Sequence, residues 1–262
     1  VTTVTGGSSL FKRFLTLSLT IVLTVVFAAL LGGCGGGKGL SDNLVQFHNG
    51  ASWDYKLTGS VTLPADQGGG SQNIQPTSTM IMSVSTSTIK DANNLPVMIL
   101  DRKIKLILLD GREIHTNFRL YITQDQLGVF VHGFNTSAGD TIDPANDKFA
   151  PSTSTPPFMF LYLPNPASPG RSIVYDNPLG LTGVDGSYHF SISNANAVRL
   201  PITVPAGTYK AWPATLTENF DNVSMTNVAL VPEVGVVDGN IFCRLPDTTI
   251  YNGLFQLSDS HI

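Results

Sequence analysis

Between Trp53 and Leu63 the chain alternates. Trp53, Tyr55, Leu57, Val61 and Leu63 are separated by Asp54, Lys56, Thr58, Ser60 and Thr62. A period of two sends successive side chains to opposite faces, so this stretch is a strand with one buried and one wet face. A lone strand leaves its backbone groups unpaired and its apolar face uncovered, so the alternation commits the chain to a sheet. Met80 to Ile89, rich in β-branched residues, reads as the next strand. No segment after residue 34 sustains helical spacing. With 25 Gly, 16 Pro and Ser/Thr/Asn runs such as Ser83–Thr88, Ser152–Thr155 and Ser191–Asn196, the fold class is all-β. The expected form is a twisted antiparallel sheet closed as a sandwich or incomplete barrel.

Turn chemistry sets the register. Ile104, Leu106 and Leu108 share one face of a strand, and Ile114, Thr116, Phe118, Leu120 and Ile122 share one face of the next. A two-residue Asp110-Gly111 loop would put Leu106 opposite His115 and mix the faces. A three-residue loop, with Leu109 and Asp110 in a type I turn and Gly111 left-handed, puts Leu106 opposite Ile114 and keeps one apolar face. Pro64 and Gly68-Gly69-Gly70 are expected to end the first strand in a mobile loop. Further strands are expected at Leu127–Phe134, Phe158–Leu163, Ser172–Tyr175 and Ser187–Ile192, the last introduced by Asp185-Gly186. The stretch from Asn135 to Pro157 reads as a surface loop or subdomain break. A second hairpin is predicted around Asp238-Gly239, with Val236 facing Ile241 and Val234 facing Cys243. Thr249–Leu257 should be a last strand paired within the sheet.

The N-terminal stretch is of another kind. Lys12 and Arg13 precede an apolar run from Phe14 to Leu31 and then small residues, the three parts of a secretory signal peptide, expected to span residues 1–33. The alternative is an uncleaved membrane anchor, since about 18 apolar residues just cross a bilayer. In both cases Lys12 and Arg13 stay on the cytoplasmic side and the chain after residue 34 lies outside. Residues 34–45, Gly-rich and polar, read as a flexible tether, and 46–262 as the β-rich domain. Leu31-Gly32-Gly33-Cys34 resembles the lipobox of bacterial lipoproteins, which implies a diacylglycerol on the Cys34 thiol and a chain held to the membrane by lipid. Gly35, rather than Asp, resembles outer-membrane sorting in a host with two membranes.

Charge narrows the partners. The net charge is −4 with 13 % charged residues, so there is no basic field for nucleic acid. If Cys34 carries lipid, Cys243 has no partner in the chain, and its alternation with Ile241 and Leu245 marks it as core packing. Of the five histidines, His115 falls on the polar face of its strand and is expected in solvent. His48 and His261 lie near the domain ends, and His132 and His189 have no carboxylate or serine beside them in sequence. No nucleophile elbow, His-Glu-x-x-His pair or paired metal-ligand spacing occurs, so neither enzymatic activity nor a cofactor is expected. Asp140, Asp143 and Asp147, with Asn146, form the acidic cluster, hard oxygen ligands in a spacing that fits no EF-hand and reads first as a solvated loop. Trp53, Tyr55, Phe118 and Trp212, with Phe130, Phe158 and Phe160, are either core or the lining of a pocket.

Three segments, Gly50–Tyr55, Val204–Tyr209 and Pro232–Val237, resemble a pattern of uncharacterised β-rich envelope lipoproteins. That resemblance extends by analogy to periplasmic lipoprotein carriers and receptors, and it implies a curved antiparallel sheet with a concave apolar face for acyl chains. Asp185–Phe190 followed by Val204–Tyr209 is also similar to small immunoglobulin-like or transthyretin-like modules of surface proteins. The functional expectation is therefore an envelope protein that binds an apolar or lipid-like ligand, or an envelope partner, through its domain. A surface adhesion or structural module comes second, and a hydrolase with a site outside known motifs third.

Overall fold

The computed structural model describes residues 47–91, 94, 96–125, 127–149, 160–164, 170, 172–176, 187–192, 198–218, 223–231 and 233–262. The alternating stretch is β1, Ser52–Thr62, with Trp53, Tyr55, Leu57 and Val61 buried and Lys56, Thr58 and Thr62 exposed. The N-terminal half continues with β2 (Ser71–Asn73), β3 (Thr79–Lys90), β4 (Pro96–Ile107), β5 (Glu113–Gln124), β6 (Gly128–Ala138), β7 (Lys148–Phe149) and β8 (Phe160–Pro164). The C-terminal half holds β9 (Ser172–Asp176), β10 (Ser187–Ile192), β11 (Leu200–Val204), β12 (Gly207–Glu218), β13 (Val223–Val231), β14 (Gly235–Arg244) and β15 (Ile250–His261). Among the described residues there is no α-helix.

All strands join one antiparallel sheet in the order β7-β6-β5-β4-β3-β1-β15-β14-β13-β12-β10-β9, with β2, β8 and β11 branching from β1, β6 and β12. Its end strands do not pair with each other, so the sheet is not closed into a barrel. Two meanders meet at the centre, where β1 pairs with β15 from Ser52↔His261 to Thr62↔Ile250. One hydrophobic cluster takes side chains from both meanders, from Met80 and Leu100 to Met225 and Ile241. The sheet therefore curls its apolar face inward, as burying that face requires.

The β1–β15 seam contains a pair of facing glycines, Gly59↔Gly253. A Cβ on Gly253 would lie 1.9 Å from the Thr58 carbonyl oxygen and 2.5 Å from the Tyr251 hydroxyl. The Tyr251 ring takes the space a side chain would use, and its hydroxyl donates to the Thr58 carbonyl at 2.9 Å. This close approach lets β15 lie against β1.

The first hairpin has the three-residue loop that the facial pattern demands. Leu106 pairs with Ile114, the Leu108 N–H donates to the Arg112 carbonyl at 2.8 Å, and Gly111 has φ +85°. The second predicted hairpin is not there. β14 runs unbroken through Asp238-Gly239, Val236 pairs with Leu230, and Ile241 pairs with Met225 and Gly253. Cys243 pairs with Val223 and Tyr251 rather than Val234. Gly239 is present for space, since a Cβ there would meet Val228 at 2.7 Å and Phe255 at 3.0 Å. The turn into β15 comes at Pro246-Asp247-Thr248, closed by the Leu245 N–H donating to the Thr249 carbonyl. Thr248 takes the left-handed position at φ +67°, and Asp247 accepts from the Thr249 N–H and hydroxyl.

Two loops are more ordered than expected. After Pro64 a 3-10 turn at Ala65–Gln67 and the Leu63 N–H to Gly70 carbonyl bond fold β2 back onto β1. β6 continues to Ala138, so Asn135–Ala138 is strand rather than loop. The segment that follows lies over the polar face of β5, where Asn117, Tyr121 and Thr123 are buried as fully as the core-facing side chains. It is pinned by Asn117 donating to the Gly139 carbonyl, Asn135 to the Asp143 carbonyl, and Tyr121 to Asp147. Residues 150–159, 165–166 and 185–186, and with them Phe158 and the Asp185-Gly186 turn, lie outside the described residues.

Candidate functional site

Curling leaves a cavity of about 40 Å³ inside the sheet. Its wall draws Trp53 and Tyr55 from β1, Met82 from β3, Leu100 and Arg102 from β4 and Leu163 from β8. From the other half come Leu216, Met225, Leu230, Val236 and Phe255. Phe47 closes one side, its ring edge-on to Trp53 at 5.8 Å, and Tyr55 meets Phe255 edge-on at 5.5 Å.

The two β1 aromatics have their polar tips engaged. The Trp53 indole N–H donates to the Val234 carbonyl, and the Tyr55 hydroxyl donates to the Val236 carbonyl at 2.9 Å. Each bond contributes about 1 kcal/mol and ties β1 to the start of β14 across the concavity. The ring faces are left to form an apolar wall. Burial pushes the Tyr55 phenol well above its ordinary value, and the positive charge of Arg102 acts in the opposite direction. Arg102 is 2 % exposed and, among the described residues, is the one charged side chain in the wall.

Of the four aromatics singled out from sequence, Trp53 and Tyr55 line this cavity. Phe118 is buried in the core elsewhere. Trp212 packs half-buried at the core's margin with the Arg199 guanidinium over its ring at 5.8 Å. Arg102 was not anticipated. It lies in the alternation between Leu100 and Ile104, at a position where the strand period calls for an apolar residue, and that break in pattern was its signal.

The acidic residues are turned to separate tasks. Asp143 accepts from the Ala145 N–H, Asp147 accepts from Tyr121 and Asn135, and Asp140 meets the His115 ring. Among the described residues no His, Cys, Asp and Glu side chains gather in a group that could hold a metal ion. His115 is not simply solvated: Nδ1 faces Asp140 and Nε2 lies 3.0 Å from Glu113, which also pairs with Lys105 at 2.8 Å. Those neighbours hold the Glu113 carboxyl below its ordinary value, Lys105 contributing most.

Tertiary structure also gives His132 partners that sequence order hides. A bulge in β6 between the Tyr121↔Gly133 and Ile122↔Val131 pairs leaves His132 as the extra residue, and its Nε2 lies 2.8 Å from the Thr123 hydroxyl. Burial lowers the imidazole pKa from 6.5, partly opposed by the charge of Asp91. Thr123 is 4 % exposed, so its hydroxyl is withdrawn from the surface. Cys243 is fully buried.

Compared with known protein families, characterised proteins and solved structures, the chain matches none. Fold and site define a class only: an all-β protein whose open, curled antiparallel sheet encloses a small apolar cavity. Among the described residues no helix is long and apolar enough to cross a membrane. The apolar run Phe14–Leu31, Cys34 and the tether to residue 45 lie outside them.

Proposed function

We propose that this is a lipid-anchored envelope protein, exposed outside the cytoplasmic membrane, that holds part of an apolar or lipid-like ligand in the cavity of its curled sheet. The observation that carries the reading is a cavity walled from both meanders with apolar and aromatic side chains. At about 40 Å³ it is far smaller than the roughly 300–1,000 Å³ of a site that buries a whole ligand, so only one end of a lipid enters unless the wall moves. Met82 and Met225 in that wall are unbranched and adaptable. Anchoring rests on Lys12-Arg13, the apolar run and the lipobox-like Leu31-Gly32-Gly33-Cys34. A diacylated Cys34, carrying palmitate or similar chains, would be a durable tether, each buried methylene adding about 0.8 kcal/mol.

The test is mass spectrometry of the protein extracted from envelopes, first native and then denatured. A stoichiometric lipid lost on denaturation supports the reading, beyond any mass covalently fixed at Cys34. A clean apo mass overturns it. That outcome would favour a structural or adhesive module, for which Phe242 and Leu254, 43 % and 44 % exposed on adjacent strands β14 and β15, are the supporting observation.

A further inference from the structure

Resting on that ligand-binding reading, we propose that Phe47 is the gate of the cavity: its ring swings out about the turn at His48–Ala51, and the apolar end of the ligand enters beside it. Among the described residues, every other residue of the wall belongs to a strand and is held by the pairing of the sheet. Phe47 precedes β1 and belongs to none. It is 7 % exposed, while the three residues after it, His48, Asn49 and Gly50, are exposed. One apolar side chain is thus inserted into the wall from a surface segment.

The fastenings of Phe47 are local. Its N–H donates to the Gln124 side-chain carbonyl at 3.1 Å, and its ring sits edge-on to Trp53 at 5.8 Å. Bonding to β3 begins beyond it, where the Gly50 N–H donates to the Val84 carbonyl and the Val84 N–H to the Ala51 carbonyl. Between lies a turn closed by the Ala51 N–H donating to the His48 carbonyl at 3.1 Å, with Gly50 at φ +90°. A Cβ on Gly50 would meet nothing within 4 Å, so this glycine serves backbone conformation and not space. A segment held by few bonds on one side of a turn opens at lower cost than a strand inside a sheet. The closed cavity of about 40 Å³ is the space left with the ring in place, and withdrawing the ring enlarges it without breaking a strand pair.

The test places para-fluorophenylalanine at position 47 of the full chain in non-ionic detergent and follows its fluorine resonance during titration with decanol, native mass spectrometry counting the decanol bound. A second resonance should grow with bound decanol, while the same label at position 255, on β15 in the same wall, should keep one. Gly50→Ala adds no contact but strains the turn, and it should raise the open resonance without decanol about fivefold or more; an unchanged spectrum there would overturn the turn as hinge. Decanol bound with the label at position 47 unmoved would overturn the gate and leave the ligand reading standing. An equal response at both positions would also overturn it, because the whole wall would then yield. No decanol bound would overturn both. The comparison of the two labels does not use Gly50→Ala, so a failure of that variant to fold does not remove the test.

Discussion

Adding one methyl group at Gly253 should unfasten the middle of the sheet. In Gly253→Ala the new Cβ would sit 1.9 Å from the Thr58 carbonyl oxygen, 2.5 Å from the Tyr251 hydroxyl and 2.9 Å from its ring. Ordinary contact needs more than 3.4 Å, so β1 and β15 must separate locally and the Tyr251 ring must swing away. Overpacking of this kind costs about 1–3 kcal/mol. Moving the ring also takes the Tyr251 hydroxyl away from the Thr58 and Leu254 carbonyls and leaves it buried and unsatisfied, about 1–3 kcal/mol more. The sum, about 2–6 kcal/mol, is a large part of the roughly 5–15 kcal/mol that holds a domain folded. Equilibrium urea unfolding should show a midpoint lowered by about 1–2 M at unchanged slope. Tyr251→Phe in the same background should cost less than it does in wild type, because the hydroxyl has already lost its partners. A Gly253→Ala midpoint corresponding to less than about 0.5 kcal/mol would refute the argument. It would mean that the two strands are not held at glycine distance.

Two other perturbations probe separate parts of the fold. Gly239→Ala should destabilise by about 1–3 kcal/mol through contact with Val228 and Phe255; an unchanged urea midpoint would return Asp238-Gly239 to a solvent-facing turn. His132 has a folded pKa below 6.5 because burial disfavours its charged form. The unfolded chain therefore takes up a proton that the folded one resists. The stability this group contributes is present above about pH 6.5 and lost as pH falls through that value toward the folded pKa. Urea midpoints from about pH 8 to about pH 5 should fall less steeply in His132→Gln, and parallel curves would count against the assignment.

Local signals were legible where one cause produces them. The alternation from Trp53 to Leu63 became β1 because period-two burial depends on neighbouring residues alone. The loop at Leu109-Asp110-Gly111 was readable because the apolar faces of its two strands agree in one register only. Asp238-Gly239 misled for a physical reason: glycine is used both where the backbone must turn and where another side chain must come close, and a short window cannot separate the two. The four aromatics divided between cavity and core for a related reason. Trp53 and Tyr55 line the cavity while Phe118 and Trp212 do not, since strand spacing selects a face without saying what lies across from it.

Composition and periodicity were enough to make this chain an antiparallel β-protein, because backbone pairing and burial of one face leave an alternating, helix-poor sequence no other stable form. The order of strands was decided by packing at a distance. β1 and β15, the first and last long strands, meet at Gly59 and Gly253, and nothing within either stretch names its partner. The polar face of β5 became interior only when the segment after Ala138 folded over it. Arg102 found its place in the same way: a charge on the otherwise apolar face of β4 became part of the lining of a cavity once two meanders closed around it. Pairing partners and cavities are properties of surfaces far apart in sequence, and the energies that select them are summed only in the folded state.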